Sequence, residues 1–226
     1  MDKNLGNEPS NINPTIGLIQ IPNTIDNSIQ DYLEKNNSNI INLDIESNLN
    51  YSKIFNTING ILLIYDFIEN YNNNIEVKLK KFLTKCIETN IPILCTGNAL
   101  HILNYCLNGL KPISTPSHSL DNNKSSYHRI FIPPGSKLAA ILGSGGFVRV
   151  NSRHSYSITE VQKSSDLIAS AYSLDDGIIE AIESPENIFI IAVQFNPERR
   201  GEIPPHFDKL FTSFIKACKK AQNGVY

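Results

Sequence analysis

The most constraining stretch of this sequence is residues 91–107, where a short apolar run is followed by a turn and then by a helical pattern. The run Ile91–Cys95 is typical of a strand buried on both faces. After Thr96–Ala99 the apolar positions recur at helical spacing, at Ala99, Leu100, Leu103 and Leu107. In α/β enzymes a strand–turn–helix unit of this kind presents a nucleophile, because the turn exposes one side chain at the helix N-terminus. We expect a glycine in that position here.

The preceding sequence predicts the sheet to which this unit belongs. Further strands are expected at Thr15–Ile21, Ile40–Leu43 and Gly60–Tyr65, with helices at Ser28–Glu34 and around Ile75–Cys86. Strands that alternate with helices favour a parallel sheet covered on both faces. Ligands of such sheets bind at the carboxyl ends of the strands, which are Tyr65–Asn70 and Thr96–His101 in this chain.

The second half of the chain predicts an antiparallel extension of that sheet. Leu110–Ser126 is rich in Pro, Ser and Asn and is expected to be a surface loop. Strands are expected at Arg129–Ile132, Gly146–Val150, Asp166–Ser173, Gly177–Glu183 and Ile188–Gln194, with helices at Ser136–Leu142 and Phe207–Cys218. The last three strands have short connections, which favour antiparallel pairing. We expect one α/β domain at 15–221, a flexible polar leader at 1–14 and a tail at 222–226.

Composition excludes several classes of function. A net charge of −2 over 226 residues gives no basic surface for nucleic acid or an anionic membrane. No apolar run reaches the ~18–20 residues of a membrane span, and the first residues lack the pattern of a signal peptide. The four cysteines have no C-x-x-C spacing, so we expect buried free thiols in a cytoplasmic protein. We expect no cofactor and no metal, since His118, His128 and His206 lack metal-ligand spacing.

Four segments resemble the class I glutamine amidotransferase superfamily, and most closely its γ-glutamyl-γ-aminobutyrate hydrolase branch. They are residues 91–109, Val150–His154, Asp176–Ala181 and Ala192–Glu198. The last is the most specific, because the family pattern there is G-V-Q-[WF]-H-P-E. The resemblance implies a flavodoxin-like three-layer α/β/α sandwich with a mostly parallel sheet.

The resemblance also implies a catalytic triad, and this chain departs from it. In the family a cysteine attacks a γ-glutamyl amide, a histidine takes its proton, and a glutamate orients the histidine. An ungapped alignment of the turn gives Gly97 at the nucleophile, and Asn196 stands for the histidine, while Glu198 is retained. The loop that supplies oxyanion-hole amides is normally glycine-rich, and Ile64–Asp66 stands there instead.

These departures predict a catalytically inactive homologue that acts in binding or regulation. Gly97 has no nucleophilic atom, and the amide of Asn196 does not titrate. One alternative is an active γ-glutamyl amide hydrolase that uses Cys95 with a base such as His154, which requires a two-residue shift of the alignment. Another is a glutaminase-like subunit that needs a synthetase partner.

The remaining site predictions concern binding. Tyr65, Asn98, His101 and His154 are expected to be ligand-binding residues, with His101 and Asn98 near the pocket mouth. Tyr65 and Phe67 either plug that pocket or leave it open. Glu198 is either a remnant of the triad or a salt-bridge partner of the arginines that follow it. The expected partner is a γ-glutamyl-like small molecule or a protein, and the oligomeric state is left open.

Overall fold

A mixed sheet forms the centre of the computed structural model, which describes residues 13–21, 27–47, 49–66, 73–115, 118, 124–186 and 188–224. The strands are β1 (Thr15–Ile21), β2 (Asn39–Asn42), β3 (Gly60–Tyr65), β4 (Ile93–Gly97), β5 (Ile113–Ser114), β6 (Ser126–Ile132), β7 (Gly146–Ser152), β8 (Tyr156–Ser157), β9 (Ile168–Ser173), β10 (Ile179–Glu183) and β11 (Ile190–Val193). The helices are α1 (Asn27–Lys35), α2 (Tyr51–Phe55), α3 (Asn73–Glu88), α4 (Ala99–Cys106), α5 (Lys137–Leu142) and α6 (Asp208–Gln222).

The strand order confirms the flavodoxin-like fold. Within the described ranges, nine strands pair in the order β2-β1-β3-β4-β11-β10-β9-β6-β7. The first five are parallel, and with β11 as the fifth strand they have the 2-1-3-4-5 order of flavodoxin-like sheets. The other four pair antiparallel, as the short connections predict.

Apolar helix faces cover the sheet on both sides and make the three layers. One core contains β-strand side chains with Leu79 and Phe82 of α3 and Leu103 of α4. The other contains Leu33 of α1, with α5 and Phe214 of α6. Every residue of β3 and β4 is buried, which explains why Gly60–Tyr65 and the first part of β4, Ile93–Cys95, are apolar without alternation.

Three local predictions are corrected. The expected surface loop at Leu110–Ser126 contains strand β5, which pairs with β8, and it buries His118. Helix α2 was not expected, because five residues are too few to show a helical period. Strand β4 is shifted two residues later than Ile91–Cys95 and ends at Gly97, since Thr96 and Gly97 extend the pairing with β3 without being apolar.

The structure also bears on the cysteines and on membrane spans. All four cysteines are free, and three are buried while Cys106 is half-buried. No helix in the described ranges is long and apolar enough to cross a membrane. The expected leader lies outside the described residues except for Asn13 and Pro14, as do Val225 and Tyr226 of the expected tail and the pocket residue Phe67.

Candidate functional site

The turn between β4 and α4 is built around Gly97. This residue ends β4 beside Tyr65 of β3 and has φ +64°, in the left-handed region that favours glycine. A Cβ atom at Gly97 would lie 2.4 Å from the carbonyl oxygen of Tyr65 and 3.2 Å from Nδ2 of Asn196. The end of β3 therefore approaches the turn so closely that a side chain at position 97 would require the backbone to move.

Asn98 follows the apex of the turn, and both of its amide groups bond to the end of β3. Its backbone N–H donates to the Tyr65 carbonyl over 2.7 Å, and its Nδ2 donates to the Asp66 carbonyl over 3.1 Å. The backbone amide after a nucleophile is a typical oxyanion-hole donor. In this chain that donor already has a partner. The Tyr65 ring itself is buried in the core, and burial raises its pKa to about 12.

The positions of the expected triad do come together. Asn196 donates from Nδ2 to Oε1 of Glu198 over 2.8 Å, and the same Nδ2 faces Gly97. Asn196 is held by Asn151, whose Oδ1 accepts from the Asn196 backbone N–H over 2.9 Å and whose Nδ2 donates to the Asn196 carbonyl. Burial raises the pKa of Glu198 to about 7, although the hydrogen bond from Asn196 opposes this shift.

Asp66 connects three segments beside the turn. Its carboxylate accepts from Nε of Arg153 over 3.0 Å and from Nη2 of Arg199 over 2.7 Å. The closest ion pairs of the neighbouring arginines are made with other acids, since Arg199 pairs with Asp66 and Arg200 with Asp208. Glu198 acts on Arg199 as a more distant negative charge, which raises the pKa of Arg199. No sequence motif indicated that Asp66 would be the shared partner.

Cys95 lies inside β4 rather than at the turn. It pairs in register with Leu63 on one side and Ala192 on the other, and it is fully buried in the apolar core. Burial raises the pKa of its thiol well above the usual value, with a further increase from the thiols of Cys106 and Cys86. Such a group is a thiol rather than a nucleophilic thiolate at neutral pH.

His101 and His154 lie behind the turn instead of at a pocket mouth. His101 is 2 % exposed and His154 1 %, and both rings face the carbonyl of Tyr156, from Nε2 over 3.2 Å and from Nδ1 over 3.0 Å respectively. Burial lowers the pKa of His101 to about 3, so this ring is neutral. His101, which was expected near the pocket mouth, is thus a buried residue.

A second polar cluster surrounds Glu180 of β10, which is fully buried. Its Oε1 lies 3.0 Å from Nε2 of His128, 3.5 Å from Nε2 of His154 and 3.8 Å from Nδ1 of His118. Burial alone would raise the pKa of Glu180, but the His128 and His154 rings outweigh it and lower the pKa to about 2. His118, His128 and Glu180 could together hold a metal ion, which linear spacing failed to indicate.

Comparison with known proteins gives the same family as the fold. The family model for Peptidase C26 matches residues 69–198. A CTP synthase of Caldivirga maquilingensis is 30 % identical over 171 residues, covering 61 % of this chain and 30 % of that protein. A CTP synthase of Streptococcus thermophilus is 31 % identical over 91 residues, covering 38 % of this chain and 17 % of that protein. The chain thus spans less than a third of the length of these relatives.

A solved structure matches the fold over more than nine-tenths of both chains. The glutaminase domain of Trypanosoma brucei CTP synthase with bound acivicin superposes with a TM-score of 0.70 at 17 % identity, covering 92 % of this chain and 94 % of that one. The structure is therefore of the class I glutamine amidotransferase type.

The first prediction concerns the Asp66 carboxylate. Asp66→Asn removes the negative charge that two guanidinium groups share, one of which, on Arg153, is only 7 % exposed. We expect the free energy of unfolding to fall by about 2 kcal/mol. The control is Glu88→Gln in the exposed Lys85–Glu88 pair, which should change it by less than about 0.5 kcal/mol. Urea denaturation of both variants measures the difference, and equal losses would contradict the role given to Asp66.

The second prediction concerns the pH dependence that Glu198 contributes. Its pKa is raised in the folded chain from 4.5 to about 7, so the folded state holds a proton that the unfolded state releases. The stabilisation that protonated Glu198 gives the folded state is fully present below about pH 4.5. It is lost as the pH rises to about 7, which lowers the free energy of unfolding by up to about 3 kcal/mol.

Glu198→Gln removes this titration. Relative to the wild type, the variant should gain stability between about pH 5 and about pH 8 in urea denaturation. The exposed Glu46→Gln should run parallel to the wild type as a control. If Glu198→Gln runs parallel as well, the buried carboxyl does not titrate in this range.

Proposed function

Since this chain belongs to the Peptidase C26 family, we propose that it is a glutaminase-like domain that has lost thiol catalysis and acts by binding a protein partner. The observation that carries the proposal is the turn at Gly97. It offers no nucleophilic atom, and the carbonyl of Tyr65 lies where a Cβ atom would have to be. Because the Asn98 amide donates to that carbonyl, an oxyanion would have to compete for the same donor.

The second triad position supports the same proposal. Asn196 stands where a general base is needed, and its amide is bonded to Glu198 over 2.8 Å. An amide cannot take a proton from a nucleophile. In a serine protease the loss of one central triad member costs on the order of 10⁶-fold in kcat, since the members act as a unit. Here two members and the oxyanion donor are changed together.

The hydrolase alternative that uses Cys95 has less support. Its thiol is buried in the core, and burial disfavours the thiolate that would attack an amide. Its suggested base, His154, faces the Tyr156 carbonyl with one nitrogen and Glu180 with the other. A γ-glutamyl hydrolase activity would require both groups to leave these environments.

The partner that we propose follows from the other alternative, a glutaminase-like subunit that needs a synthetase partner. The related CTP synthases are three or more times as long as the matched region, and the trypanosomal glutaminase domain superposes over 94 % of its length. A synthetase-type protein is therefore the partner class we propose. The turn at Gly97 is closed by the Tyr65 carbonyl, and this closed turn favours a protein partner over a γ-glutamyl-like small molecule. The four free cysteines agree with a cytoplasmic location.

The test of lost catalysis uses the full chain with γ-glutamyl amides and with an electrophilic glutamine analogue. We expect neither ammonia release nor a cysteine adduct in the intact mass, while an active glutaminase in the same assay gives both. An adduct on Cys95 would overturn the proposal in favour of the hydrolase.

The double variant Gly97→Cys with Asn196→His makes the test specific to the turn. We expect it to remain unlabelled, because its new Cβ meets the Tyr65 carbonyl at 2.4 Å, and to unfold at lower temperature than the wild type. Efficient labelling of Cys at position 97 would mean that the turn is open enough for substrate and that only two side chains separate this chain from an enzyme.

The proposed partner is tested by co-purification of the full chain from its native source. We expect a synthetase-type protein to be identified by mass spectrometry and to form a stoichiometric complex again when the two purified proteins are mixed in size-exclusion chromatography. A chain that elutes alone in both experiments would contradict the binding role.

A further inference from the structure

The cluster around Glu180 contains unpaired polar atoms that converge on one point. Within the part of the chain that the structure describes, no hydrogen bond is made by Nδ1 of His118, by Nε2 of His128 or His154, or by either carboxylate oxygen of Glu180. All four residues are at least nine-tenths buried. Nε2 of His128 and of His154 lie 3.0 and 3.5 Å from Oε1 of Glu180, but without the geometry of a hydrogen bond. Buried polar atoms are normally bonded, so a cation among these atoms would satisfy them.

The opposite nitrogens of two rings show which atoms carry protons. Nε2 of His118 lies 2.9 Å from Oδ2 of Asp176, and Nδ1 of His154 lies 3.0 Å from the Tyr156 carbonyl. Both oxygens only accept hydrogen bonds, so the protons are on the nitrogens that face away from Glu180. In the neutral rings, the nitrogens that face Glu180 therefore present lone pairs.

Lone pairs directed at a buried carboxylate repel it unless a proton or a metal ion lies between them. Backbone carbonyls and carboxylates that accept from the outer nitrogen are also the usual partners of a metal-bound histidine, because they fix the ring and the tautomer. His118 and His154 both have such a partner. The arrangement of donors, acceptors and lone pairs is thus one that a metal ion satisfies.

We propose that His118, His128 and Glu180 bind a zinc ion, with the ring of His154 beside the site. The ligand atoms of the three residues lie within 4.8 Å of one another, and Nε2 of His154 is 3.5 Å from Oε1 of Glu180. In a tetrahedral zinc site with bonds of about 2.0–2.1 Å, ligand atoms are about 3.3 Å apart. The two distances from Oε1 of Glu180 to the histidine ligand atoms, 3.0 and 3.8 Å, are centred near that value.

The ligand types and their burial select the ion and its role. Two imidazoles and one carboxylate suit zinc, whereas magnesium and calcium prefer oxygen ligands alone. The three ligands are buried, and the ion would join β6, β10 and His118, which lies between described residues Thr115 and Lys124. We therefore assign the ion a role in stabilising the fold.

The test uses the full chain, treated with a chelator and then titrated with zinc. We expect about one zinc per chain by elemental analysis after desalting, and a higher melting temperature with zinc than without it. Cobalt in place of zinc should give the intense visible absorption of a tetrahedral site, a readout that does not depend on any enzymatic activity. Substoichiometric zinc and an absence of cobalt bands would overturn the proposal and leave a proton shared between His128 and Glu180 as the explanation.

Three variants distinguish this site from surface binding. His128→Gln should lose zinc, while the exposed His206→Gln should keep it as a matched control. Asp176→Asn is a milder change outside the ligand set, and it keeps the zinc site testable even if His128→Gln does not fold. Losing the carboxylate that orients His118 should weaken zinc affinity about 10–100-fold without removing the cobalt bands. Unchanged affinity in Asp176→Asn, or zinc lost in His206→Gln, would contradict the assignment.

Discussion

The hydrogen bond from the Asn98 backbone amide to the Tyr65 carbonyl fixes the geometry of the turn between β4 and α4. It forms because Gly97 has no side chain, so the end of β3 reaches the turn and the amide donates over 2.7 Å. The chain then continues to Asp66, whose carboxylate binds the guanidinium groups of Arg153 and Arg199. A side chain at position 97 would require this arrangement to open, since its Cβ atom would lie 2.4 Å from the Tyr65 carbonyl oxygen.

The retained Glu198 makes physical sense beside Asn196 without a catalytic role. A buried carboxyl needs a hydrogen-bond donor, and an asparagine amide supplies one without titrating. The raised pKa of Glu198 means that burial dominates over the hydrogen bonds that oppose it, of which the bond from Asn196 is the largest. Asn196 therefore supplies the donor that the buried acid requires and does not itself titrate.

The sequence predicted those elements whose structure depends on residues adjacent along the chain. Strands Thr15–Ile21 and Gly60–Tyr65 were predicted with their observed bounds because each is a predominantly apolar run. The end of β4 was missed, since Thr96 is buried through strand pairing rather than through apolarity. The cluster around Glu180 was missed for a stronger reason: its ligands come from segments up to 62 residues apart, from position 118 to position 180, and only the antiparallel pairing of β6, β9 and β10 assembles them.

The closed turn and the histidine cluster are physically joined through one atom. The carbonyl oxygen of Tyr156 accepts from His154, which faces Glu180, and from His101, which belongs to the helix that follows the turn. A group that fixes the ring of His154 therefore restrains a carbonyl oxygen that also bonds to helix α4, which begins at Ala99. The histidine cluster thus contributes to the position of the helix that follows the turn, through two hydrogen bonds that share one acceptor.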